Sequence, residues 1–132
     1  WNVTSFTELR REAEEVERWN LMNPGKKPKQ SHIEKSLNKN LVPTIAVSDY
    51  VKMCTEQVSP FVSGSFYSLG TDGFGRSESR AVLRQYFEMD AEMMVFAALV
   101  ELGRRGEVGE EVVEKAQKVL GIDAEKVDPA VF

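Results

Sequence analysis

The sequence predicts an α/β domain built on a mostly parallel sheet. Two short, continuously apolar runs, Thr44–Val47 and Phe66–Leu69, suit strands covered on both faces. They alternate with amphipathic stretches at helical spacing. The second run leads into Leu69-Gly70-Thr71-Asp72-Gly73-Phe74-Gly75-Arg76-Ser77, with three glycines ahead of a long helical run. Strand, glycine-rich turn and helix start in that order make a βα junction, where the backbone turns sharply and approaches other groups with no Cβ in the way.

The 132 residues fit one domain, 1–132, and 42% hydrophobic against 29% charged content is enough for a core. A net charge of −4 argues against a general nucleic-acid binder, which carries a basic excess. Cys54 is the only cysteine, which excludes an intrachain disulfide and a cysteine zinc cluster. The longest apolar run, Met93 to Val100, is too short to span a bilayer. No signal-peptide pattern is visible. The opening residues lack an initiator Met and read as a strand, so a piece of a longer protein is expected.

Trp1 to Phe6, rich in β-branched and aromatic residues, is expected to be the first strand, with Thr7 capping the helix after it. Leu9, Ala13, Val16 and Trp19 form the apolar stripe of that helix, about 14 to 16 residues long, with Glu12, Glu14 and Glu15 on its solvated face. Asn23-Pro24-Gly25 stops it. Lys26, Lys27 and Lys29, extended by Lys35 and Lys39, read as an exposed loop rather than a phosphate contact. Ser31-His32-Ile33-Glu34 matches a capping box opening a short helix to about Leu37.

After Thr44–Val47, Ser48 or Asp49 is expected to cap a helix burying Val51, Cys54, Val58 and Phe61 or Val62, ended by Pro60. Cys54 on that stripe reads as a small core residue. Beyond the glycine turn, Ser77 is expected to cap a helix whose apolar side is Val82, Leu83, Tyr86 and Phe87. Asp90 is a fresh N-cap for Met93 to Leu102, which is apolar nearly all round and suits packing on two sides. Arg104-Arg105-Gly106 closes that helix. Glu110 and Glu111 open the last helix, with Val112, Val113, Ala116, Val119 and Leu120 as its stripe, and Gly121 starts a tail that could wrap onto a neighbour.

The chemistry is sparse. Gly70, Gly73 and Gly75 have the wrong spacing for a dinucleotide fingerprint, and the P-loop ending is missing. Two readings of the turn remain. Arg76 and the amides after Ser77 could hold a phosphate or carboxylate. Alternatively, Gly70, Thr71, Asp72, Gly73, Gly75, Arg76 and Ser77 form a tight turn tied to its own backbone, or an interface loop. His32, the only histidine, is placed at a solvated first turn, which leaves no Ser-His-Asp set and no multi-histidine metal site. No catalytic residue can be named, and no metal ligand.

The stretches Trp1–Arg10, Glu17–Asn20 and Ser48–Lys52, and above all Leu69–Ser77 with Arg80, resemble the homodimeric bacterial pyruvate dehydrogenase decarboxylating component. The resemblance runs to about Pro129, with Glu78 where that family more often shows Asp and a loose match over residues 25–41. It implies a C-terminal domain of the transketolase type: a three-layer α/β sandwich with a mostly parallel sheet, whose first strand and helix precede Trp1. The parent would be a cytoplasmic bacterial enzyme. It would decarboxylate pyruvate on thiamine diphosphate with Mg²⁺ and reductively acetylate the lipoyl group of dihydrolipoamide acetyltransferase. The cofactor and metal would be held by upstream domains. This piece would bind neither; it would support the dimer and border the active-site entrance, with no nucleic-acid or membrane partner. The alternative is a free-standing anion- or nucleotide-binding regulatory module using the Gly70–Ser77 loop.

Overall fold

A computed structural model describes residues 1–131. The elements run α1 (Phe6–Met22), α2 (His32–Leu37), β1 (Thr44–Val47), α3 (Met53–Glu56), a 3-10 turn (Ser59–Phe61), β2 (Phe66–Leu69), α4 (Arg80–Tyr86), α5 (Ala91–Arg104) and α6 (Glu110–Val119). β1 and β2 pair in parallel with Thr44 opposite Phe66 and Val47 opposite Leu69. The fold is α/β with a parallel sheet, as expected, and both strand boundaries coincide with the apolar runs.

Among the described residues the sheet has two strands, not three. Trp1 to Phe6 is not a strand: the chain is irregular up to Ser5 and helical from Phe6. Ser5 is extended (φ −156°, ψ 108°), but no described strand lies alongside to form a ladder. Ser5 rather than Thr7 caps α1, its side chain accepting from the Glu8 amide at 3.2 Å. The cap falls at Ser5 because Thr7 already lies inside the helix.

Ser31 forms the expected capping box. Its hydroxyl accepts from the Glu34 amide at 3.3 Å, and the Glu34 carboxylate accepts from the Ser31 amide at 2.7 Å. Asp90 caps α5, accepting from the Met93 amide at 2.9 Å. The lysine loop is pinned: Asn20 exchanges two hydrogen bonds with the Lys29 backbone, and the Lys29 ammonium lies 4.0 Å above the Trp19 ring.

The segment after β1 departs from the sequence reading. Neither Ser48 nor Asp49 caps a helix; the Ser48 hydroxyl accepts from the Tyr50 amide, and α3 begins only at Met53. Thr55, not Cys54, is the residue buried on its inner face, and Val51 is exposed. Crossing over residue 70 holds residues 50–52 in a turn and delays the helix.

The core has two parts. Ala13, Ile33, Val58, Phe61 and Val62 cluster under α1 and α2, with Leu9 and Phe66 packed against them. Leu69, Phe87 and Met89 form the second cluster, joined by Ile45, Val47, Leu83 and Met93. Between residues 1–5 and the outer side of β1 runs an open groove of about 630 Å³, floored by Leu9, Ile33, Leu37 and Phe66.

Candidate functional site

Both strands end at the same side of the sheet, and the glycine loop leaves from that end. Its first half is fastened to the segment after β1. The Thr71 amide donates to the Tyr50 carbonyl at 2.9 Å, and the Thr71 hydroxyl donates to the Asp49 carbonyl at 2.7 Å. The Asp72 carboxylate accepts from the Lys52 amide at 3.3 Å. Gly70 is buried in the crossing: a Cβ there would lie 2.6 Å from the Tyr50 oxygen and 2.9 Å from the Lys52 nitrogen. A side chain is therefore excluded at residue 70 by backbone on the facing segment.

Gly73 has φ +101°, and a Cβ on it would overlap the Pro129 carbonyl. Conformation and space both call for glycine here. Gly75 is different, since nothing lies within 4 Å of its would-be Cβ. From Gly73 to Ser79 the loop is exposed, with Phe74 82% accessible at its tip. The Arg76 guanidinium lies 4.3 Å from the centre of the Tyr86 ring, a cation–π contact. The Asp72 carboxylate faces the Lys52 backbone.

Ser77 does not open the helix. α4 starts at Arg80, Ser79 occupies the N-cap position without a side-chain bond, and the helix is only seven residues long. Extended backbone at Ser79 (φ −64°, ψ 153°) separates Ser77 from the first helical turn. Seven predicted residues thus divide into two groups. Gly70, Thr71, Asp72 and Gly73 form a fixed crossing, while Gly75, Arg76 and Ser77 form an exposed arm leading to α4.

The tail supplies contacts that the sequence did not announce. Rather than standing free, it folds back on this same chain. Pro129 is buried beside Gly73, and the Lys126 ammonium donates to the carbonyls of Gln85 and Tyr86 at 2.7 and 2.8 Å. A lysine near a helix C-terminus was a usable signal, but it stands far along the chain from the helix it serves.

Elsewhere titratable chemistry is modest. The Arg11 guanidinium, hydrogen-bonded to Glu8 at 2.8 Å, holds the Glu8 carboxyl below the ordinary glutamate value and is itself raised by that carboxylate. His32 is exposed, and its backbone amide donates to Glu12. Among the described residues, no group of three or more His, Cys, Asp or Glu side chains is placed to hold a metal ion. Nor is any described helix long and apolar enough to cross a membrane.

The family model of the transketolase-like TK C-terminal domain matches residues 1–90. The chain is also 49% identical over 130 residues to the pyruvate dehydrogenase E1 component of Pseudomonas aeruginosa, covering 98% of this chain and 15% of that protein. It is 47% identical to the E1 component of Escherichia coli, again over 98% of this chain and 14% of the relative. The figure for Cupriavidus necator is 45% over the same shares. The chain therefore spans about one-seventh of the length of these curated relatives. A parallel β1–β2 pair joined through helices and a glycine-rich βα turn agrees with the family match, and the chain belongs to the transketolase-like C-terminal domain family.

Proposed function

We propose that this chain is the C-terminal domain, residues 1–132, of a bacterial pyruvate dehydrogenase E1 component, and that it serves the parent as scaffold rather than as catalyst. The observation that carries this is 45–49% identity over 98% of the chain to proteins of that name. In this reading the parent, a cytoplasmic homodimer, decarboxylates pyruvate and reductively acetylates the lipoyl group of dihydrolipoamide acetyltransferase. Thiamine diphosphate supplies the carbanion-stabilising chemistry there, with Mg²⁺ as its anchor.

Among the described residues no trio of carboxylate, imidazole or thiol side chains converges to hold Mg²⁺. In this reading both ligands are held by upstream domains, and no step is assigned to a residue here. In this reading the glycine loop is a contact loop, and the exposed Phe74 at its tip is the side chain offered to the rest of the assembly.

The open groove supports an upstream strand completing the sheet. The Thr44 amide donates to the Ser65 carbonyl just ahead of β2 and the Ser48 amide to Leu69, so the intervening Ile45 and Val47 amides point to the other side. All four residues of β1 remain only half-buried, although their composition suits full cover.

The test compares the parent with the isolated 132-residue chain. The parent is expected to turn over pyruvate with thiamine diphosphate and Mg²⁺, and Phe74→Ala to weaken its assembly without unfolding this domain. Turnover of pyruvate by the isolated chain, or tight thiamine diphosphate binding to it by calorimetry, would overturn the scaffold reading.

A further inference from the structure

We propose that residues 122–130 are a latch that sets the position of the glycine loop. The exposed arm runs from Gly73 to α4, and the tail grips it at both ends. At one, the buried Pro129 packs its carbonyl so close to Gly73 that no side chain fits between them. At the other, the Lys126 ammonium binds the Gln85 and Tyr86 carbonyls that end α4 and pairs with Glu88 at 3.5 Å. Glu88 itself has φ +57°, a left-handed turn that brings its carboxylate to Lys126.

The two points are linked through an aromatic ring. Tyr86 has the Arg76 guanidinium 4.3 Å from its centre and the Lys126 ammonium 5.7 Å away. Arm and tail thus meet the same side chain. The tail is built to hold this shape: Asp123 and Asp128 each accept from the backbone amide two residues on, at 2.9 and 2.8 Å. It is a run of turns fixed by local bonds, not a loose end.

The glycine loop holds its own first half through Thr71 and Asp72. The latch adds a hold on the second half, at Gly73 and at the end of α4. Drawing the tail away removes both of those contacts while leaving the crossing at Gly70 in place. Because such coupling is reciprocal, displacing the loop also loosens the tail.

Tryptic cleavage after Arg76 and hydrogen exchange with peptide-level mass spectrometry, on the full-length protein that carries this chain, test this without reference to activity. Ending the chain after Gly121 is expected to speed cleavage after Arg76 at least tenfold, and Lys126→Met several-fold, with exchange in residues 44–47, 66–69 and 91–104 unchanged. Gly73→Ala is expected to raise exchange in residues 122–130. The latch is overturned if cleavage after Arg76 is unchanged in both tail variants, or if exchange rises over β1, β2 and α5 as well. It is also overturned if a folded Gly73→Ala protein leaves the tail protected.

Discussion

The hydroxyls of Thr55 and Ser68 lie 2.8 Å apart and join α3 to β2 inside the protein. Thr55 also lies 3.0 Å from the Lys52 carbonyl. A hydroxyl has one proton, so Thr55 donates to Lys52 and accepts from Ser68. Thr55 is fully buried and Ser68 nearly so. Thr55→Val is expected to destabilise by about 1–3 kcal/mol, because the Ser68 hydroxyl loses its acceptor in a dry site. Adding Ser68→Ala should restore part of that loss. Urea unfolding of the single and double variants checks it, and strictly additive losses would contradict it.

The three loop glycines should respond unequally to alanine. Gly70→Ala pushes a methyl against backbone at 2.6–3.1 Å and should cost roughly 1–3 kcal/mol. Gly73→Ala adds the positive φ to an overlap with Pro129 and should cost at least as much. Gly75→Ala meets nothing and should be neutral or stabilising by about 0.4–1 kcal/mol through the unfolded chain. Thermal midpoints in the order Gly75, Gly70, Gly73, highest first, are the expected result.

Ser31→Ala removes the hydroxyl of a buried capping box. A loss of about 1 kcal/mol is expected, with faster amide exchange at Glu34. An unchanged denaturant midpoint would show that Glu34 alone maintains the start of α2.

At the start of α1, Arg11 depresses the Glu8 carboxyl by hydrogen bonding and charge. A lowered folded-state value means the ion pair contributes above glutamate's ordinary value, and the contribution fades as pH falls through the lowered one. Both groups are exposed, so the effect on stability is small. An NMR titration should place Glu8 below the ordinary midpoint, and Arg11→Gln should move it back up. A midpoint that ignores Arg11→Gln would show the pair is not formed in solution.

What could be read from the residues was local. The strand limits, the capping box at Ser31 and the cap at Asp90 depend on neighbours a few positions away, and they appear where expected. Trp1–Phe6 has the composition of a strand, but a strand exists only with a partner ladder. Ser77 has the chemistry of a cap, but α4 waits until Arg80. Glycines 70 and 73 were recognisable as permissive positions. Their partners, the turn at 50–52 and Pro129, are set by tertiary approach and left no mark near them in the sequence. Lysines 26 and 29 lacked a nearby aromatic in sequence, yet Trp19 lies beneath them.

A two-stranded sheet with no described strand on either flank presents rows of unpaired peptide groups. Such edges recruit other chains. Produced by itself at high concentration, this polypeptide is expected to aggregate through β1, with light scattering that rises steeply with concentration.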